Sequence, residues 1–220
     1  MFAEYVRPPV TARVFHDDDG RVINYGERWD GDPPEDAYSV TQHPERFAPL
    51  HLVADALIAH LSASYDVRVD EHDDCGADFM RPPSDLVRAV RLTPARRDAA
   101  PLTFGYTPYP GIALHAGYLH DTYFPSCGCD ACDDTWEEEA ARLERHVFDV
   151  VSGGYQEKFV RGFTAHLRYS LGGPGRQRSG SSLVTRGRFR DSITQRLAAA
   201  REQGRPLPDL WAPWPRRPGE

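Results

Sequence analysis

Three of the four cysteines in this 220-residue sequence lie within six consecutive positions, where Cys127, Cys129 and Cys132 form the pattern Cys-x-Cys-x-x-Cys. Thiolates are soft ligands that suit Zn²⁺ and iron–sulfur clusters, and a Zn–S bond of about 2.3 Å requires the sulfurs to approach one another closely. Gly128 gives the backbone between the first two cysteines the freedom for a tight turn. The pattern therefore predicts a thiolate metal site, with Zn²⁺ as the expected ion and an iron–sulfur cluster as an alternative.

A closed tetrahedral site requires a fourth ligand, for which the sequence offers several candidates. Cys75 is the expected fourth ligand because it supplies the same soft sulfur donor. Four histidines are alternatives: His51, His72, His115 and His120. Water in the fourth position would instead make an open site, which is typical of catalytic zinc.

Thiol chemistry without a metal is a second interpretation of the same residues. Cys129 and Cys132 form a Cys-x-x-Cys pair, as redox-active cysteines do, but the neighbouring sequence does not show the strand-then-helix pattern of thioredoxin-like proteins. Zinc deamination is set aside on two grounds: we expect no His-x-Glu partner upstream, and three residues separate Pro125 from Cys129, whereas deaminases have the proline directly before their cysteine pair. The plainest alternative is a group of free cysteines without a ligand.

Three helices are predicted from apolar residues at helical spacing, at about 47–64, 134–151 and 190–203. The second begins directly after the cysteines, where Asp134 and Glu137 predict a capping box. The unpaired N–H groups of a helix N-terminus favour anionic sulfur nearby. The position of the cysteines therefore favours thiolates whatever they bind.

The remaining pattern predicts an α+β fold. Strands are predicted at 10–15, 21–25, 65–69, 86–92, 102–106, 112–118, 155–160, 163–171 and 183–187, with a glycine-rich loop at 172–182. We expect one domain over residues 1–220, with a mainly antiparallel sheet of five to seven strands and about three helices packed chiefly on one side. The tail, from about 205 to 220, is predicted to be extended and anchored by Trp211 and Trp214.

The composition is that of an ordinary globular protein, with 40% hydrophobic and 27% charged residues. No apolar run reaches the roughly 18 residues of a membrane helix, and the N-terminal residues lack the basic-then-apolar pattern of an export signal. We therefore expect a cytoplasmic protein with no membrane partner, in a compartment that keeps its thiols reduced.

Charge is distributed unevenly along the chain. Residues 161–220 hold twelve arginines against four acidic residues, although the whole chain has a net charge of −7. Either the two parts lie against each other and compensate, or the C-terminal part offers a basic surface to an anionic partner. The first interpretation is favoured, because no aromatic–basic nucleic-acid motif accompanies the arginines. Nucleic acid is not the expected partner; a protein or a second copy of the chain fits better.

Three stretches resemble an uncharacterised family of actinobacterial proteins of unknown function: Gly-Asp-Pro-Pro-Glu-Asp-Ala-Tyr-Ser at 31–39, His-Pro-Glu-Arg-Phe-Ala-Pro-Leu-His at 43–51, and Cys-Gly-Cys-Asp-Ala-Cys-Asp at 127–133. The last stretch is the most specific, and the resemblance covers most of the chain. The resemblance implies an actinobacterial, cytoplasmic origin but no known activity, and it does not extend to Cys75.

A strong ligand cluster without a recognisable catalytic constellation favours a non-enzymatic binding or interaction protein with a structural metal site. One alternative is a metal-dependent hydrolase with an open cysteine-ligated zinc site, in which a metal-bound water is the nucleophile. The other is a thiol redox protein, which requires a reactive thiolate.

Overall fold

The computed structural model describes residues 4–11, 13–162, 164–173, 176–185, 187–207 and 209–218. Its helices and strands are, in order, β1 (Phe15–His16), β2 (Val22–Ile23), α1 (Pro49–Ser64), β3 (Val67–Glu71), β4 (Arg88–Pro94), β5 (Leu102–Tyr106), β6 (Ile112–Ala116), β7 (His120–Phe124), α2 (Trp136–Val151), β8 (Tyr155–Val160), β9 (Ala165–Gly173), β10 (Arg176–Val184) and α3 (Arg188–Glu202). The predicted α+β class with a mainly antiparallel sheet is confirmed.

The main sheet is an antiparallel meander in the order β3-β4-β5-β6-β7. On one face, Val90, Phe104 and Leu114 lie side by side on the three central strands and are almost completely buried. Successive side chains of a strand point to opposite faces. The intervening residues, such as Arg91 and Thr103, therefore point to the other face of the sheet.

Helices α1 and α2 pack side by side on the apolar face. Their buried stripes join one core: Leu50, Leu57, Leu61, Leu143 and Val147. The two helices run in the same direction. Their first turns line one cavity, whereas Val151 at the end of α2 and Tyr65 just after α1 both contact Trp214. Both helix N-termini therefore meet at the same end of the domain.

Helix α3 lies against the opposite, polar face of the main sheet. Arg196 donates hydrogen bonds of 2.7 Å to the backbone oxygens of Ala77 and Phe79, at the end of the 3-10 helix Asp73–Asp78. Ile193 packs in a second, smaller core with Leu119. Two of the three α-helices in the described residues thus share one face, in agreement with the predicted packing.

The three-stranded sheet β10-β9-β8 corrects the predicted loop at 172–182. Strand β10 pairs with β9 along its whole length, from Arg176 opposite Gly173 to Val184 opposite Ala165. Glycine and serine have low strand propensity, but the continuous ladder to β9 outweighs it. Phe163, Pro174 and Gly175, which fall in the predicted strand and loop, lie outside the described residues.

The C-terminal tail is anchored as predicted. Trp211 and Trp214 are almost completely buried. The Trp214 backbone N–H donates to the oxygen of Val151 at 2.9 Å, and its indole N–H donates to the oxygen of Ala100 at 2.8 Å. The tail therefore ties the end of α2 to the segment before β5.

The surroundings of the cysteines differ from the prediction in two respects. Residues His120–Phe124 form β7, a strand that the sequence did not indicate. The N-cap of α2 is Thr135 and not Asp134, since the Thr135 hydroxyl accepts a 3.2 Å hydrogen bond from the N–H of Glu138. The cysteines therefore do lie between a strand and a helix.

One helical segment of the described residues, Pro44–Ser64, is long and apolar enough to cross a membrane by length and composition alone. The core helix of a soluble protein passes the same test. Here α1 buries its apolar stripe against α2 and the main sheet. This packing explains the hydrophobicity of the segment as that of a core helix.

Candidate metal centre

The cysteine loop, residues 125–135, connects β7 to α2. Within it, Asp130–Cys132 form a short 3-10 helix, and Asp133 follows in the left-handed conformation with φ of 53°. These two turns fold the loop back on itself at the N-terminus of α2. They bring the three cysteines, which are close in sequence, close in space as well.

The three sulfur atoms form one group. The Sγ of Cys129 lies 3.3 Å from that of Cys127 and 3.5 Å from that of Cys132. All three sulfurs lie within 4.8 Å of one another. Sulfurs that share one tetrahedral Zn²⁺ at about 2.3 Å are separated by roughly 3.8 Å. Small side-chain adjustments would therefore let all three bind one ion.

Cys75, the predicted fourth ligand, lies in another part of the fold. It is buried in the 3-10 helix Asp73–Asp78, and its thiol lies 3.5 Å from the backbone oxygen of Asp70, to which it donates. The group of neighbouring ligand atoms found in the described residues consists of the three loop sulfurs. The structure thus brings together three of the four predicted ligands.

The histidines considered as alternative ligands have other partners. His51 contacts the Gly111 oxygen, His72 the Asp74 carboxylate, His115 the Asp121 carboxylate and His120 the Thr122 hydroxyl. Cys127 and Cys132 are exposed, and Cys129 is half-buried. A fourth ligand can therefore reach the group from solvent.

The connection between β2 and α1 holds the cysteine loop in place. Residues 26–46, called the clamp segment below, wrap around the loop. Arg46 and Thr41 both donate hydrogen bonds to the backbone oxygen of Gly128, at 3.0 and 3.1 Å. The indole of Trp29 donates to the backbone oxygen of Asp130 at 3.1 Å. The loop is therefore held by contacts that need no metal.

A buried charge cluster joins the clamp segment to the loop. The Asp130 side chain is almost completely buried and lies 3.3 Å from the guanidinium of Arg28 and 3.6 Å from that of Arg46. The backbone N–H of Gln42 donates to the same carboxylate at 3.3 Å. The Arg46 guanidinium also stacks over the ring of Tyr25 at 4.3 Å. A buried carboxylate needs such partners, because losing one leaves an uncompensated charge.

Hydrogen bonds shift the pKa values of Cys129 and Cys132 in opposite directions. Burial raises the pKa of Cys129, but hydrogen bonds from the Cys127 thiol and from the backbone N–H groups of Cys132 and Ser39 outweigh it and lower the pKa to about 7. The hydrogen bond with Cys127, followed by burial and the hydrogen bond with Cys129, raises the pKa of Cys132 to about 12. Cys129 therefore loses its proton more readily than Cys132.

Tyr109 closes the loop from the side of the sheet. Its hydroxyl is buried and has no hydrogen-bond partner in the described part of the chain. Burial raises its pKa; Arg46 lowers it, and the nearby thiols of Cys127 and Cys129 raise it further. A Cβ atom on Gly128 would lie only 1.7 Å from this hydroxyl oxygen. Glycine is therefore required at 128 by close packing.

Glu139 lies beneath the loop in the first turns of α2. Its side chain is fully buried and accepts a 2.6 Å hydrogen bond from Arg142. Burial raises its pKa to about 7, although Arg142 and the backbone N–H of Ser126 act in the opposite direction. This carboxyl group lies close to Ser126, the residue that precedes Cys127.

The comparisons with known proteins concern nearly the whole chain. The model of a family of unknown function (DUF6226) matches residues 11–218. The chain belongs to this family. No curated protein and no solved structure matches it. Family membership confirms the resemblance to a family of unknown function, and it brings no activity with it.

Sequence reasoning missed most of the clamp. Arg46 lies within the stretch at 43–51 that resembles the family, but neither Arg46 nor Arg28 was predicted to hold the loop. The expectation that no His-x-Glu lies upstream of the cysteines is wrong, since His43-Pro44-Glu45 has this pattern. In zinc deaminases such a motif pairs with a Cys-x-x-Cys like that of Cys129 and Cys132. The ring of His43 contacts Glu45 and the His16 backbone oxygen, at 3.2 and 3.0 Å, and lies outside the sulfur group.

Proposed function

We propose that Cys127, Cys129 and Cys132 bind one metal ion, that this ion is Zn²⁺, and that it serves as a structural element of a non-enzymatic binding or interaction protein. The observation that carries the proposal is the approach of the three sulfurs to within 4.8 Å of one another. Three thiolates form a soft donor set, which suits Zn²⁺ better than Mg²⁺ or Ca²⁺.

The electrostatic setting supports the proposal. Bound thiolates carry negative charge, and the first turns of both α1 and α2 lie at this end of the domain. Helix N-termini stabilise nearby anions through their unpaired N–H groups and the helix dipole. The buried guanidinium of Arg46, hydrogen-bonded to the loop at Gly128, adds a positive charge.

The exposure of the site bears on the partner. With Cys127 and Cys132 at the surface, the fourth ligand can be a side chain of another protein or of a second copy of the chain. We therefore include a protein partner or a homo-oligomer in the proposal. The proposal includes a cytoplasmic location, because reduced thiols suit a reducing compartment. It also includes an actinobacterial source, which rests on the family resemblance.

Elemental analysis of freshly purified protein tests the proposal. We expect stoichiometric zinc in the wild type and loss of zinc in Cys127→Ser, Cys129→Ser and Cys132→Ser. The matched control is Cys75→Ser, which changes the cysteine outside the group and should keep its zinc. Wild-type protein without stoichiometric zinc would refute the proposal as stated. Loss of zinc from Cys75→Ser would refute the three-sulfur assignment.

A metal-dependent hydrolase is the second candidate, and the exposure of Cys127 and Cys132 favours it. A metal-bound water could occupy the open position, and Glu139 is a carboxylate close enough to the loop to accept a hydrogen bond from the Ser126 N–H. The test is hydrolysis of p-nitrophenyl esters and phosphates by zinc-loaded protein. Activity lost in Glu139→Gln, with zinc retained, would support this candidate; no turnover of either substrate class would count against it.

A thiol redox protein is the third candidate, favoured by the short sulfur–sulfur distances of 3.3 and 3.5 Å. Removal of two electrons and two protons from such a pair, with a disulfide reagent as the oxidant, would form a disulfide bond. Mass spectrometry after treatment with oxidised glutathione would show it. A disulfide within the loop that dithiothreitol reverses would support this function, and thiols that stay free would exclude it.

A further inference from the structure

A row of polar side chains crosses the main sheet on the face opposite the apolar core. Neighbouring strands place Asp70 beside Arg91, Arg91 beside Thr103, Thr103 beside His115, and His115 beside Asp121. The His115 ring and the Asp121 carboxylate lie 2.6 Å apart. A sheet face that only packed against α3 would carry apolar side chains, because buried polar groups cost free energy. The polar row therefore calls for an explanation beyond packing.

A cavity of about 290 Å³ lies between this row and α3. Its floor includes Arg91, Thr103 and His115, and Arg196 of α3 lies opposite. Arg68 and Arg205 complete the lining with two further guanidinium groups. The cavity is thus lined by four arginines from four separate parts of the chain.

The arginines of the cavity are only partly neutralised. Asp78 is the one acidic residue in the lining found among the described residues, and both Arg91 and Thr103 already bind its carboxylate. Arg196 donates hydrogen bonds to backbone oxygens, including those of Ala77 and Phe79, and among the described residues it forms no ion pair with a carboxylate. Acidic residues nearby, such as Asp121, act on it only at longer range.

Arg205 and Arg68 are the arginines best placed to reach a ligand. Arg205 is exposed, and its side chain has no ion pair in the part of the chain that the structure describes. The Arg68 side chain is 69% exposed and lies 3.0 Å from Asp70, in a surface pair that holds it weakly. Both side chains can therefore turn towards an anion without breaking buried contacts.

A second cavity of about 320 Å³ adjoins the first and shares Thr93, Tyr118 and Arg205 with it. The lining that belongs to the second cavity alone includes Ala99 and Trp211 together with Arg96 and Arg97. The two cavities together offer several guanidinium groups and a partly apolar wall. Ligand pockets commonly combine such an apolar wall with a few charged groups that fix orientation.

We propose that these adjoining cavities form a binding site for a small organic oxyanion, whose phosphate or carboxylate group contacts Arg68, Arg196 and Arg205 and whose organic body lies against Tyr118 and Pro101. Guanidinium groups are the preferred partners of both anions. The site lies on the opposite face of the main sheet from α1 and α2 and uses no residue of the cysteine loop.

Isothermal titration calorimetry at constant ionic strength tests the site with three probes: inorganic phosphate, phenyl phosphate and benzoate. We expect saturable binding of at least one organic probe, with phenyl phosphate binding more tightly than inorganic phosphate. Binding of phenyl phosphate alone identifies a phosphate site, and binding of benzoate alone identifies a carboxylate site. Equal affinity for phosphate and phenyl phosphate would refute the role of the second cavity, and no saturable binding of any probe would refute the whole site.

Two exposed arginines provide the variants. Arg68→Gln and Arg205→Gln should each weaken binding about fivefold to tenfold, because each removes one charge-assisted hydrogen bond. The control, Arg21→Gln, makes the same charge change at an exposed ion pair with Asp19, far along the chain in the first hairpin. An equal loss of affinity in Arg21→Gln would show that only the net charge of the protein matters, and it would overturn the proposal.

Discussion

The guanidinium of Arg46 donates a hydrogen bond to the backbone oxygen of Gly128, at the centre of the cysteine loop, over a distance of 3.0 Å. The same side chain pairs with the buried Asp130 and donates to the backbone oxygen of His43 at 3.3 Å. One residue therefore connects the approach to α1 with the loop that begins α2.

Replacing Arg46 tests the clamp directly. Arg46→Gln should lower the free energy of unfolding by about 3 kcal/mol, because it leaves the buried Asp130 with Arg28 as its remaining cation. Urea unfolding measures the change. Arg21→Gln, whose ion pair is 76% and 70% exposed, is the control and should change stability by less than about 0.5 kcal/mol. Similar small losses in both variants would contradict the structural role of Arg46.

The contact between Gly128 and Tyr109 gives a second prediction. In Gly128→Ala the new methyl group would overlap the Tyr109 hydroxyl, so the loop or the ring must move, at a cost of about 1–3 kcal/mol. We also expect a lower zinc content, because the loop carries the sulfurs. The control is Gly31→Ala, where a methyl group would meet no atom within 4 Å. Unchanged stability and zinc content in Gly128→Ala would show that the contact is unimportant.

Metal removal gives a third prediction. A ligand that binds only the folded state stabilises it, so a strong chelator should lower the melting temperature of zinc-loaded protein. A loss of about 3 kcal/mol corresponds to roughly 6–12 °C for a chain of this size. The variant with Cys127, Cys129 and Cys132 all changed to Ser should not respond to the chelator. An equal response in that variant would place the metal elsewhere.

Glu139 provides a pH dependence with a definite sign. Its pKa is raised from 4.5 in the unfolded chain to about 7 in the fold. Its contribution to stability is therefore fully present below pH 4.5 and is lost as the pH rises through 7. Between pH 5 and pH 8, wild type should lose about 2 kcal/mol relative to Glu139→Gln, which cannot ionise. Urea unfolding of both proteins at the two pH values measures this difference. Parallel pH profiles would show that Glu139 titrates normally.

The tail offers a stability test remote from the loop. Trp214→Ala should cost about 3–5 kcal/mol, because it empties a large buried volume and removes the hydrogen bond to Ala100. Leu210→Ala, in the same tail but 54% exposed, is the control, with an expected change within about 0.5 kcal/mol. Comparable losses in both variants would contradict the specific anchoring of the tail by Trp214.

Local patterns predicted the helices well. The predicted ranges 47–64, 134–151 and 190–203 lie within two residues of α1, α2 and α3 at each end, because each helix carries an apolar stripe that repeats at helical spacing. The strands β5 and β8 were predicted at their observed bounds. Strand β7 was missed, since it is an edge strand in which mainly His120 and Phe124 are buried.

The candidate site could be predicted only in part. The spacing of the cysteines indicated a sulfur group, and the fold brings these three sulfurs together. The clamp could not be read from the sequence, because Arg46 and Gly128 are 82 residues apart and Trp29 and Asp130 are 101 residues apart. Charge-specific contacts over such separations leave no local pattern. The distance of Cys75 from the cysteine loop in the fold leaves no local pattern either. Donor chemistry alone therefore made it the expected fourth ligand.

These separations also have a consequence for the order of events during folding. Closing a loop of about 80–100 residues is entropically costly, and contacts of this range form late and slowly. The clamp segment is synthesised before the five-stranded meander and the start of α2. Its contacts with the cysteine loop can therefore form only after these later elements have been synthesised. The clamp is therefore expected to form at a later stage of folding than the turns of the cysteine loop itself, whose three cysteines lie within six residues of one another.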